Sequence, residues 1–171
     1  MAERTLVLLR HAKAETPGER RDFDRSLTRA GKADAAAAGA WLADEGLRPD
    51  LVLCSPARRT RQTWHGVEMA MAQAAPDAPA PEVIFDEGLY DGGRTEVIDL
   101  LRAAGDDRRT VLVIGHNPTM SDVSLLLRPH EQDGETHGLK TAGIAVHRAE
   151  GPWSLTGPGS MALVAQHTAR G

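Results

Sequence analysis

TLVLLRHAKAE, residues 5–15, decides how the rest of the chain is read. Its first five residues are apolar or β-branched without alternation, the composition of a strand buried on both faces. Arg10 and His11 follow at once. In an open α/β sheet, ligands gather at the carboxyl ends of the strands, so a guanidinium and an imidazole placed there are positioned to meet a substrate. Short motifs also arise by chance, and an Arg-His pair alone equally describes an ordinary strand end facing water. The remaining chain has to decide between these readings.

Working outward, the same construction recurs. Residues 110–114, TVLVI, form a second continuous apolar run that ends in Gly115, His116, Asn117 and Pro118. Asn117 is expected to cap a helix that has Pro118 in its first position and closes at Arg128 and Pro129, leaving His116 at the strand end. Residues 50–54, DLVLC, run out into Ser55 and Pro56, again an N-cap followed by proline, with a helix expected to about residue 75. PDAPAP, residues 76–81, breaks that helix, and 82–85 is a short strand. Thr28 is a plausible cap for a helix over 28–45, where Ala30, Ala33, Ala37 and Ala40 suit close packing and Gly46 supplies the stop. Thr95 is read as the cap of a further helix ending near Gly105. Residues 143–147, 153–155 and 161–166 read as strands at a sheet edge. Strands alternating with helices predict a three-layer α/β fold, helices on both faces of a largely parallel sheet with an antiparallel edge.

A chain of 171 residues fits one domain, residues 1–171, with room for a substantial core. A net charge of −4 gives no reason to expect general attraction to nucleic acid or anionic lipid. Cys54, the single cysteine, excludes an internal disulfide and sits in an apolar run as core filler. No apolar run approaches the roughly 20 residues that span a bilayer, and MAERT leads straight into a strand. A cytoplasmic monomer is expected.

Against that mild background the local charges stand out. Arg58 and Arg59 fall in the first turn of their helix, with Arg61 just beyond, where cations oppose the helix macrodipole at a cost of some tenths of a kcal/mol each. A bound anion reverses that sign, since free amides and guanidinium groups hold phosphate together. Residues 12–27 form a charged loop and 86–96, DEGLYDGGRTE, an acidic, glycine-rich one that offers Asp86, Glu87 and Asp91 as general acids. His130, Asp133, Glu135 and His137 lie in another polar loop, but neither a helical histidine pair nor a thiolate accompanies them, so no metal is expected. Nor is there a P-loop pattern. Three strand ends carrying Arg10-His11, the 58/59 arginines and His116 point to convergence on a phosphate dianion.

The motifs resemble those of the histidine phosphatase superfamily, which includes the phosphoglycerate mutases, and within it the SixA-like phosphohistidine phosphatases. LLRHAKAE resembles the Arg-His signature and DRSLTRAG (24–31) the segment leading to the first helix. SPARRTRQT (55–63) is similar to the second arginine motif, and GHNPTMSD (115–122) and KTAGIAV (140–146) to the motifs that follow. The resemblance implies a phosphoglycerate mutase-like fold and a metal-independent, cofactor-free phosphatase with His11 as nucleophile. It selects Arg59 over Arg58 and groups it with Arg10, His116 and Asn117 as the substrate-binding set. His116 is also counted as catalytic, and Leu89-Tyr90-Asp91 puts Asp91 where mutase-like relatives carry the general acid, with Glu87 as competitor. A chain this short leaves little for insertions over the pocket, which favours a phosphohistidine-bearing protein as partner. The rival readings are a phosphomonoesterase of small metabolites and a non-catalytic phospho-binding module.

Overall fold

The computed structural model describes residues 2–132 and 138–171. Six strands, β1 (Glu3–Arg10), β2 (Leu51–Cys54), β3 (Glu82–Phe85), β4 (Thr110–Gly115), β5 (Gly143–Glu150) and β6 (Ala162–Thr168), form one sheet in the order β3-β2-β4-β1-β5-β6. The first four pair in parallel. β5 then runs antiparallel to β1, and β6 antiparallel to β5. The expected parallel sheet with an antiparallel edge is what the chain builds.

The apolar runs are continuous because both faces of the central strands are covered. Val7, Leu9, Val52, Cys54, Leu112 and Ile114 point to one side, against α1 (Arg29–Asp44) and α2 (Arg58–Ala74). Leu6, Leu8, Leu51, Leu53, Val111 and Val113 point to the other, against α4 (Arg94–Arg102) and α5 (Thr119–Leu127). Each such side chain contributes about 1.5–3 kcal/mol by leaving water. α1 and α2 pack almost backbone to backbone: a Cβ at Gly39 would stand 2.5 Å from the Val67 carbonyl, and one at Gly66 would stand 2.7 Å from the Ala35 Cβ. Ala35 and Ala38 line this contact, whereas Ala30, Ala33 and Ala40 are exposed.

Register puts the chemistry on one edge. Arg10 pairs with Gly115 and Cys54 with Ile114, so the residues following β1, β2 and β4 emerge side by side. His11 N–H donates to the Gly115 carbonyl at 3.0 Å, and Ser55 N–H to that of Ile114 at 3.0 Å.

Several local expectations are corrected. α2 begins at Arg58, because Ala57 is still extended at ψ 148°; the Ser55 hydroxyl takes the Ala57 N–H at 3.4 Å and also meets His116 Nε2 at 2.7 Å. α5 begins at Thr119, one residue later than expected, although Asn117 Oδ1 still accepts from Ser121 N–H at 3.2 Å. α4 is capped at Gly93, whose N–H donates to Glu96 Oε2 at 2.7 Å, and not at Thr95. The acidic loop contains a single helical turn, α3 (Gly88–Asp91). Trp153–Leu155 is a 3-10 turn, not a strand, with the indole N–H donating to the Arg108 carbonyl at 2.7 Å. Of the polar loop around His130, residues 133–137 lie outside the described residues.

Candidate active site

His11 leaves the end of β1 almost buried, with 8% of its surface exposed. Its Nδ1 lies 2.7 Å from the Ala12 carbonyl. A carbonyl only accepts, so Nδ1 carries the ring proton and Nε2 keeps its lone pair. The Ala12 N–H is itself held by Thr63 Oγ1 of α2, which fixes the His11–Ala12 peptide that leads into this carbonyl. Burial, followed by the charges of Arg59, Arg10 and Arg25, outweighs the Ala12 hydrogen bond and pulls the imidazole from 6.5 to about 4. At neutral pH the ring is an uncharged nucleophile.

His116 lies beside it, the ring centroids 5.4 Å apart. Its Nε2 is 2.7 Å from Ser55 Oγ. Burial, then Arg59 and His11, lowers its pKa to about 3. Without an anion nearby His116 is therefore neutral and offers one N–H rather than two.

Arg59, 5% exposed, reaches in from the first turn of α2. Its two terminal nitrogens donate to the Asp22 carbonyl at 2.8 Å and to Asp22 Oδ2 at 3.1 Å. Its Nε is buried without a partner. The guanidinium is thus clasped along its outer edge while the Nε side remains uncommitted. Arg58, one residue earlier, turns to the outer groove between α1 and α2. Arg10 donates to the Leu139 carbonyl at 3.1 Å, and its Nε is also buried and unpartnered. Asn117 donates to that same carbonyl at 2.7 Å, so it steadies the anchor of Arg10.

Asp22, Arg25 and Tyr90 escaped the sequence reading. Asp22 sits in a 3-10 turn (Asp22–Asp24) of the loop after β1. Its carboxylate accepts from Arg25 at 3.0 Å, from Arg59, and from the Tyr90 hydroxyl at 2.8 Å. Burial pushes this carboxyl upward, but the hydrogen bonds of Tyr90, Arg25 and Arg59 prevail and hold it near 2. Tyr90, from α3, stands edge-on to His116 at 5.6 Å and to Phe23 at 5.1 Å. Asp91 and Glu87 are both exposed, and no hydrogen bond or ion pair ties either side chain to another described residue. The i,i+3 spacing of Asp22 and Arg25 was the available signal, yet nothing local distinguishes that pair from a solvated charge cluster.

The family model of the histidine phosphatase superfamily (branch 1) matches residues 6–89. An uncharacterized protein of Mycobacterium tuberculosis is 36% identical over 168 residues, covering 95% of this chain and 100% of its own. The structure of a protein from Nakamurella multipartitia, designated a candidate phosphohistidine phosphatase SixA, superposes with a TM-score of 0.80 at 31% identity, covering 99% of this chain and 98% of that one. Another candidate SixA, from Agrobacterium tumefaciens, gives 0.77 at 28% identity over 96% and 97%. The chain belongs to the histidine phosphatase superfamily, in its SixA-like branch. It is a hydrolase of the histidine phosphatase type.

Proposed function

We propose that this enzyme hydrolyses phosphohistidine carried on a protein, by way of a phosphohistidine formed on His11 and without a metal. The observation that carries the proposal is the set of unpartnered buried nitrogens, Arg10 Nε, Arg59 Nε and His116 Nδ1, beside an imidazole whose Nδ1 is tied to a carbonyl. Buried donors without partners are costly, and one oxyanion satisfies them together.

The steps follow from this arrangement. Arg10 and Arg59 hold the equatorial oxygens, and Asn117 has a second amide hydrogen beyond the one given to Leu139. With the Ser55 hydroxyl donating to Nε2, His116 carries its proton on Nδ1 for the phosphoryl group. His11 Nε2 attacks phosphorus, the P–N bond to the substrate imidazole breaks, and that imidazole leaves neutral because its other nitrogen holds a proton. The Ala12 carbonyl stabilises the phosphorylated ring through Nδ1–H. Water then attacks phosphorus, its protons pass to the phosphate, and His11 is released neutral. The entering dianion offsets the arginine charges that depress both imidazoles.

Leaving-group chemistry favours phosphohistidine over an alkyl phosphate. An alkoxide needs a proton donor, and the candidate donors Asp91 and Glu87 are exposed, without ties to the cage. An imidazole needs neither.

Turnover of a phosphohistidine-bearing protein should be compared with that of sugar phosphates, in chelator, for the wild type and His11→Asn. Preferential release from the protein, abolished in His11→Asn, supports the reading. A large preference for the sugar phosphates, or release that survives in His11→Asn, overturns it.

A further inference from the structure

α1 and α2 each follow a parallel strand and return across the same face of the sheet. Their amino ends consequently lie at the sheet edge that holds His11 and His116. Between their outer sides opens a groove of about 930 Å³. Lys32, from the first turn of α1, lines it with Arg58, Arg61 and His65 of α2, and no carboxylate is among the lining residues. Among the described residues, neither Lys32 nor Arg58 makes a side-chain hydrogen bond or ion pair, and Arg61 is tied only through Nε to the Pro56 carbonyl at 2.8 Å.

This cluster runs against two expectations. The chain as a whole is acidic, at −4. Cations in the first turn of a helix are also disfavoured by its dipole, so the fold gains nothing from Lys32 or Arg58. The groove is not purely electrostatic either, because Met69, 58% exposed, stands beside alanine and glycine positions on its wall. A cationic rim over an apolar strip suits an amphipathic acidic helix, whose carboxylates meet the rim while its apolar stripe meets Met69. At a diameter near 10 Å, about two helical turns occupy such a volume. Nucleic acid fits less well, since the His65 imidazole is the single ring among the lining residues and successive bases need a run of such platforms. Arg58 also adjoins Arg59, and Gln62 of the groove wall accepts from Leu27 N–H at 2.7 Å in the loop that carries Asp22.

We infer that the groove between α1 and α2 is the docking site for an acidic helix of the phosphohistidine-bearing substrate protein, which seats its phosphorylated residue in the adjoining pocket. The inference rests on the functional reading above and adds how the substrate is chosen. Charge at such a rim acts mainly on encounter, so it raises the rate on the protein substrate and not the rate of phosphoryl transfer.

The test compares wild type with the triple variant Lys32→Glu/Arg58→Glu/Arg61→Glu on a phosphorelay domain carrying phosphohistidine on an acidic helix, and on N-phosphoimidazole, which has the same P–N bond and no docking surface. The expected result is a loss of at least about 30-fold in kcat/KM on the protein, with N-phosphoimidazole turnover within 2-fold of wild type. Wild-type turnover of the protein should also fall more steeply with salt than that of the variant. An unchanged rate on the protein overturns the docking site, as does a parallel loss on both substrates. RNA or anionic vesicles bound through these three residues, with phosphoprotein turnover unaffected, overturn it too. A wild-type enzyme that hydrolyses N-phosphoimidazole but no phosphohistidine protein refutes the functional reading instead.

Discussion

Acidification from pH 7 to pH 5 should strip this protein of about 6 kcal/mol of folding stability, before most carboxylates titrate. Three histidines are responsible. Burial holds His11 and His147 near 4 and His116 near 3, all below the ordinary 6.5. Above 6.5 these rings are neutral folded or unfolded, and their contribution is intact. Between 6.5 and 4 the unfolded chain binds protons that the fold refuses, so stability declines as pH falls and levels off below the folded values. From pH 7 to pH 5 each ring accounts for about 2 kcal/mol, a large share of the ~5–15 kcal/mol typical of a domain. Urea unfolding followed by tryptophan fluorescence at pH 7, 6 and 5 measures the slope directly. His147 is fully buried between Ser124 Oγ and the Met161 carbonyl, away from the pocket, so His147→Gln should remove about a third of it. A change of less than about 1 kcal/mol over this range, or imidazole NMR signals showing His11 titrating near 6.5, would refute the reasoning.

Arg59→Gln should lower kcat/KM by about 100-fold or more, the usual effect of deleting a buried donor to a developing oxyanion, and a loss below 10-fold in steady-state assays counts against its place in the cage. Asp22→Asn keeps an oxygen for the guanidinium groups but removes a negative charge beside them. Product inhibition by inorganic phosphate should therefore tighten about 3-fold or more, whereas weaker inhibition would show that the carboxylate does not oppose the entering anion. Because that side chain is 51% exposed, the variant should lose no more than about 1 kcal/mol in urea unfolding. Cys54 is fully buried, and burial pushes its thiol up to about 12, so iodoacetamide should leave the native protein unlabelled and react only after unfolding.

β1 and β4 were legible as TLVLL and TVLVI because strands covered on both faces carry no polar alternation to confuse the reading. That Arg10, His11, Arg59 and His116 share one edge was legible because strand ends and the first helical turns that follow them meet at the carboxyl edge of a sheet of this kind. What escaped depends on partners far along the chain. The start of α2 was placed too early because Ala57 stays extended, and the Ser55 hydroxyl, a natural cap, is shared with an imidazole 61 residues away. Asp22 lay unremarked in the charged loop 12–27, yet it joins Arg59 and Tyr90, 37 and 68 residues distant. Leu89-Tyr90-Asp91 directed attention to the carboxylate. One residue of helix rotates a side chain by roughly 100°, and α3 turns Tyr90 towards His116 while Asp91 stays exposed. Trp153–Leu155 looked like a short apolar strand because three residues carry no usable period.

The central claim is chemical: a neutral His11 accepts the phosphoryl group. Rapid quench of the enzyme with phosphorus-labelled N-phosphoimidazole, followed by peptide mapping at alkaline pH, tests it most directly. The account predicts an acid-labile, base-stable label on the peptide containing His11, absent in His11→Asn and longer-lived in the wild type at low temperature. Full catalytic turnover with no label on that peptide, or label on any other residue, would contradict it.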